Sequence, residues 1–134
     1  MRLLFLIFLL PVMASAQNTL SVKVEGVASD SGYIMLAVYD EADGFLKKGH
    51  ALMGVRTKAV SGITELHIDD LPEGKYALAI YHDENGNEEL DTNWLGIPKE
   101  PIGFSNSKMK AFGPPRFEDC AFLFKTDHQI QISL

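Results

Sequence analysis

The chain has one cysteine, Cys120, so no disulfide can form within it. Its core must hold without covalent staples. Cys120 lies in the apolar run FEDCAFLF, where a buried, inert thiol is expected. Bases are scarce: 12 Lys and Arg face 18 Asp and Glu, for a net charge of −6. That balance argues against nucleic acid and against attraction to anionic membrane surfaces. The spacing shows no convincing amphipathic helix, no internal repeat and no low-complexity segment. Gly-rich phosphate loops and zinc signatures are missing. GFSNS, around Ser105, lacks the final glycine of a nucleophile elbow, because Ser107 stands there. No long apolar run follows residue 16, so no membrane insertion is expected beyond it.

What is present begins with MRLLFLIFLLPVMASA: one Arg, an apolar stretch, and small residues at Ala14 and Ala16. This reads as a secretory signal peptide, too short to span a bilayer, with cleavage after Ala16. Residues 1–16 are the leader in this reading, and residues 17–134 form a single domain of 134 − 16 = 118 residues. Losing Arg2 leaves a net charge of 11 − 18 = −7. The cleavage site is not followed by a cysteine, so no lipid anchor is indicated. The expected location is periplasmic or secreted.

The dominant period is two. TLSVKVEG alternates Leu20, Val22 and Val24 with polar residues, as a half-buried strand does. GYIMLAVYD and KYALAIYH are apolar on both faces and read as central strands. GVRTKAV and ITELHI are shorter candidates, joined by a tight turn at Ser61 and Gly62. FEDCAFLFK and HQIQISL close the chain, with a turn at Thr126 and Asp127. Residues 44–54 have room for one helical turn. These features predict an all-β fold: a single antiparallel β-sandwich of about seven strands, immunoglobulin-like or transthyretin-like, with one long ordered loop. A small closed barrel is the alternative.

That loop holds the chemistry. HDENGNEELDTN, residues 82–93, carries Asp83, Glu84, Glu88, Glu89 and Asp91 and no base. Side-chain oxygens fall at alternate positions: Asp83, Asn85, Asn87, Glu89 and Asp91. Calcium loops use this rhythm to turn oxygens inward around a hard cation, and Glu100 is placed to complete the shell. Ca2+ is therefore the candidate cofactor, with Asp83, Asn85, Asn87, Glu89, Asp91 and Glu100 as its ligands. The match to an EF-hand is incomplete, since Glu88 stands at the glycine position and Trp94 at the bidentate glutamate. The bland reading is a solvated polar turn, in which Asn-Gly and Asp are ordinary.

The segment continues through Pro98, Pro101, Pro114 and Pro115, which forbid long regular structure. Trp94, Leu95, Ile97, Ile102, Phe104, Met109 and Phe112 supply enough apolar surface to predict that it packs back on the domain. Further candidates are His82, as a ligand-orienting or acid–base group or as a histidine closing the sandwich end, and Asn93. Ser105 and Asn106 read as loop hydrogen-bonders. Trp94, Phe104 and Phe112 form a possible stacking platform for a glycan or a protein. His82, Asp83 and Glu100 are the residues a metal-dependent hydrolase would use.

LPEGKYALAIYHDENGNEELDTNWLGIPKEPIGFSN, followed by FGPPRFEDCAF, resembles the domain of unknown function 2141 family of exported bacterial proteins. The shared pattern is carried by His82, Asp83, Asn85, Asn87, Asp91, Asn93, Gly96, Pro98, Glu100, Gly103, Ser105, Asn106, Pro114 and Pro115. Glu88 departs from a common glycine and Cys120 from a small alanine. The resemblance implies the fold and the compartment but no activity. LPEGKYALAI is also similar to the L-P-x-G-x-Y strand of transthyretin-like and adhesin-type sandwiches, a fold-level likeness. The function expected is an exported, non-enzymatic β-sandwich with a polar, calcium-binding loop, acting on an envelope or extracellular ligand. The alternatives are a glycan- or protein-binding adhesion module and a hydrolase.

Overall fold

The computed structural model describes residues 17–134; the leader expected at residues 1–16 lies outside the described residues. Eight strands form two sheets that do not close into a barrel. They are β1 (Thr19–Val27), β2 (Tyr33–Tyr39), β3 (Met53–Lys58), β4 (Gly62–Asp69), β5 (Gly74–Asp83), β6 (Ile102–Phe104), β7 (Phe122–Phe124) and β8 (His128–Ser133). A single helical turn, α1 (Phe117–Cys120), precedes β7. One sheet has the order β4-β1-β8. The other runs β3-β2-β5-β6, with β7 also on β5. No helix among the described residues is long and apolar enough to cross a membrane.

The period-two pattern explains the core. Leu20, Val22 and Val24 of β1, with Leu66 and Ile68 of β4 and Ile130 and Ile132 of β8, face Ile34, Leu36 and Val38 of β2 and Leu78 and Ile80 of β5. The L-P-x-G-x-Y stretch turns on Tyr76, whose hydroxyl donates to the Pro72 carbonyl at 2.7 Å. Its ring lies over Gly74, where an added Cβ would stand 3.2 Å from the hydroxyl.

Several expectations need correction. β3 and β4 are not a hairpin: β3 pairs with β2 and β4 with β1, so the Ser61–Gly62 turn carries the chain from one sheet to the other. The Thr126–Asp127 turn does the same between β7 and β8. The sandwich is not purely antiparallel, because β8 runs parallel to β1. FEDCAFLFK is a helical turn and a short strand rather than one strand. Of residues 44–54, those up to 52 form turns and bends without a helix, and Met53 and Gly54 begin β3.

β2 and β5 are apolar on both faces because the outer face too is covered in part. Outside the five-stranded sheet a second cluster joins Tyr39, Ala77, Phe104, Phe117 and Cys120, with Phe45 and Leu46 from the 44–54 loop packed on it. Cys120 is buried there as expected, and that burial pushes its thiol up to about 11.

Candidate functional site

The site grows from one interrupted strand. β6 pairs with Ala79–Tyr81 of β5, and β7 pairs with Gly74–Tyr76 of the same edge. Between them the chain leaves the sheet at Ser105 and returns through α1. Ser105 closes the gap as a substitute for backbone. Its amide donates to the Leu78 carbonyl at 3.0 Å. Its hydroxyl accepts from the Leu78 amide at 2.8 Å and donates to the Cys120 carbonyl at 2.6 Å. Asn106, in the left-handed region at φ 55°, donates its amide to Ala121 O. Ser105 and Asn106 are thus the hydrogen-bonders expected, and the Ser105 hydroxyl is committed to the fold. At Gly103 an added Cβ would meet Ile132 at 2.7 Å and the Ser133 carbonyl at 2.8 Å, so β6 can press on β8 only with glycine there.

The acidic stretch is an ordered cage of hydrogen bonds rooted in Asp83, which is fully buried at the end of β5. Its two carboxylate oxygens accept the amides of Asn87 (3.2 Å) and Glu88 (2.8 Å). The Asn85 and Asn87 side-chain oxygens accept the amides of residues 87 and 89. Their amide nitrogens both donate to Asp91, at 2.6 and 2.9 Å. Those bonds hold the Asp91 carboxyl below the usual range. Glu88 takes the left-handed conformation, at φ 63°, that glycine accepts more readily, and its side chain pairs with Arg56.

Glu100 does return to the stretch, accepting the Asp91 amide at 3.1 Å, and burial raises its carboxyl above the ordinary value. The Glu89 amide belongs to this cage, but its carboxylate lies 3.8 Å from exposed Lys48. Among the described residues no three His, Cys, Asp or Glu side chains are gathered closely enough to hold a metal. The oxygens of Asp83, Asn85 and Asn87 serve the loop's own amides, and Asp91 is where the side chains meet.

His82 is buried on the inner face of β5, closing that end of the sandwich. Its Nε2 lies 2.7 Å from the Ser31 carbonyl, and its own amide donates to Pro101 O. Nδ1 is 3.6 Å from Glu84 Oε1, too far for a hydrogen bond. Strand alternation puts His82 and Asp83 on opposite faces, so the trio His82, Asp83 and Glu100 does not form one constellation.

Nor do Trp94, Phe104 and Phe112 make one platform. Phe104 is buried in the outer cluster, whereas Trp94 is 91% exposed and Phe112 fully so. The expectation that this apolar set packs inward fails also for Leu95, Ile97 and Met109, which stay in solvent. Hydrogen-bonded turns hold them there. Asn93 Oδ1 accepts the Leu95 and Ile97 amides, and Lys110 and Gly113 bond each other in both directions.

One feature escaped the sequence reading. A cleft of about 930 Å³ crosses the outer face of the five-stranded sheet. Ala37, Gly54 and Ala79 floor it. Leu46 and Lys48, Glu88, Glu89 and Leu90 of the acidic stretch, and Pro98, Ile102, Met109 and Pro114 also line it. Tyr81 also lines it, its phenol pushed up to about 12 by burial and then by Asp83, Glu100, Glu88 and Glu89. The available signal was the small Ala77 and Ala79 alternating with Leu78 and Ile80 in β5.

With this geometry in hand, a family model described as an uncharacterized protein conserved in bacteria, DUF2141, matches residues 22–132. The chain belongs to the DUF2141 family. The match spans β1 to β8 and takes in the acidic cage, the Ser105 splice and the cleft. No curated protein and no solved structure matches the chain. The DUF2141 resemblance read from the motifs is therefore correct at the level of family.

Proposed function

We propose that the protein is an exported, non-catalytic binding module whose site is the cleft on the outer face of the five-stranded sheet. The cleft itself carries the reading: a concave surface with a small-residue floor, apolar walls and a few polar groups at one rim is the common form of a ligand site. Its lining fits a small apolar or amphipathic molecule of the envelope. The leader-like residues 1–16 support a periplasmic or secreted location. Binding is favoured over catalysis because the candidate nucleophiles are engaged or buried: the Ser105 hydroxyl closes the edge strand, and Cys120 lies in the outer cluster.

Gly54 gives the test. A Cβ there would meet only the Leu36 carbonyl, at 3.8 Å, so a side chain can enter the cleft without disturbing backbone. Gly54→Phe is expected to weaken binding of the apolar fluorophore N-phenylnaphthylamine by about tenfold, roughly 1.4 kcal/mol, with an almost unchanged melting midpoint. Equal binding by the variant and the parent sinks the cleft as the site.

A second reading concerns the acidic cage as a hard-cation site that stiffens the cleft rim. Supporting it, the backbone is already coiled around alternate oxygens, with the Asn85 and Asn87 side chains meeting at Asp91. Loading Ca2+ requires those amides to turn their oxygens inward. Calcium at a hundredfold excess over its Kd is expected to add about 2.7 kcal/mol to stability. Asp91→Asn, at the loop surface, should abolish that gain. A melting curve unmoved by millimolar calcium or by chelator removes the cation from this reading.

A further inference from the structure

Two hairpin turns present their largest apolar side chains to solvent. In the first, bridged by Thr92 and Pro98, the Gly96 amide donates to Asn93 O and the Asn93 amide to Ile97 O, both at 2.9 Å. The Asn93 side chain takes the Leu95 and Ile97 amides. Trp94 and Leu95 are the central residues of a turn so fully bonded that neither can fold inward. In the second, Lys110 and Gly113 exchange bonds of 2.9 and 3.3 Å and leave Ala111 and Phe112 at the tip. Both turns border the cleft: Gly96 and Pro98 of the first and Met109 and Pro114 of the second line it. Large exposed aromatics held in place by hydrogen bonds mark an interaction surface.

Charge on this edge is opposite to that of the molecule. Residues 92–119 hold Lys99, Lys108, Lys110 and Arg116 against Glu100, Glu118 and Asp119, a net of 4 − 3 = +1, so the rest of the chain carries −6 − 1 = −7. Glu100 is turned toward the Asp91 amide. Asp119 engages Lys110 and Arg116, at 2.7 and 3.5 Å; Lys99 and Lys108 form no ion pair among the described residues, with Lys99 near enough to Asp91 to help lower its carboxyl. In the acidic stretch Glu88 is offset by Arg56 and Glu89 by Lys48. At physiological salt, fields fade over about 8 Å, so exposed Lys99 and Lys108 act on a surface in contact with this edge more strongly than acids farther away.

We propose that these two hairpins are a peripheral docking edge for an anionic lipid surface. Trp94, Leu95 and Phe112 enter the headgroup–acyl boundary, and Lys99 and Lys108 lie against the lipid phosphates. Trp is suited to that depth because its ring is amphipathic, and lysine stems reach the phosphates while covering apolar surface. A folded protein partner calls for a continuous complementary patch, whereas separate projecting tips suit a fluid phase that closes around each. This edge stands whether or not the cleft takes a ligand.

Trp94 is the single tryptophan of the chain, so its emission reads the docking directly. The chain from Gln17 contains every described element of the sandwich and omits the apolar leader, which would bind lipid by itself. Added to vesicles of mixed phosphatidylglycerol and phosphatidylcholine, it should float with them, and Trp94 emission should shift to the blue. Phe112→Ser should weaken partitioning by about tenfold, and Lys99→Glu with Lys108→Glu by at least that much on anionic vesicles. All three positions are exposed, so the melting midpoints should match the parent's. Emission unchanged by any vesicle overturns the proposal. So does partitioning that the variants leave intact, or a blue shift produced by soluble oligosaccharides and not by bilayers.

Discussion

Gly32→Ala is expected to cost more than about 4 kcal/mol, a loss large enough to leave a domain of this size marginal or unfolded. Gly32 opens β2 at φ +67°, and an added Cβ would stand 1.8 Å from the Asp83 carbonyl oxygen and 2.9 Å from that of Glu84. The obstacle is backbone, so no side chain can swing aside. Relief requires separating Tyr33 from Asp83, the pair that ends the β2–β5 ladder. It also disturbs the bond from the Ala59 amide to the Gly32 carbonyl, at 3.1 Å. Gly49→Ala is the control, because Gly49 has a similar φ of +82° with nothing within 4 Å. That variant should lose only the left-handed penalty, roughly 1–2 kcal/mol. Urea unfolding of both separates clash from strain, and equal losses would show that the close approach at Gly32 is of no consequence.

The location of Gly32 matters because it fixes where the acidic stretch leaves the sheet. Asp83 is the last residue of β5, and its position relative to β2 sets the whole cage above the cleft. The route from sequence to site thus passes through one pair of backbones in contact. A second such point is Ser105. Its hydroxyl replaces a ladder partner for Leu78 while tying down Cys120, so the edge strand can be cut and reopened as β6 and β7. Without that splice the hairpins at residues 92–98 and 110–113 would have no fixed base.

How much of this was legible follows from the range of the interactions. Alternation in β1, β2, β5 and β8 is local, so the strands and their inward residues could be read directly. Which strand pairs with which is not local. Ser61–Gly62 has the chemistry of a hairpin turn, yet β3 and β4 belong to different sheets, a choice made by Val22 and Leu66 meeting across β1 and β4. The acidic stretch could be located, because unbalanced charge after a buried strand is visible in the letters. Its internal wiring could not, since Asn85, Asn87 and Asp91 meet only after the loop curls. Trp94 and Phe112 stay exposed although their apolarity predicts burial. Apolarity argues for burial, but the bonds at Asn93 and between Lys110 and Gly113 set the turns first, and the turns point the rings outward.

Asp83→Ala should be the most damaging change within the cage, at about 3–4 kcal/mol. The carboxylate is fully buried and accepts two amides, and a hydrogen bond to a charged group contributes roughly 1.5–3 kcal/mol. Removing it strands the Asn87 and Glu88 amides and frees Glu88 to leave its left-handed conformation. Asp83→Asn keeps one acceptor but faces the other amide with a donor, so its loss should be intermediate. Equilibrium unfolding gives the energies, and hydrogen exchange at the Asn87 and Glu88 amides gives the location. An alanine variant that loses less than about 1 kcal/mol with both amides still protected would falsify the role assigned to Asp83. The same measurement separates two jobs for one carboxylate. If Asp83 only holds amides, the loss is the same in calcium and in chelator. If it also ligates an ion, the loss grows in calcium by the free energy of binding, because the variant forfeits the site together with the loop.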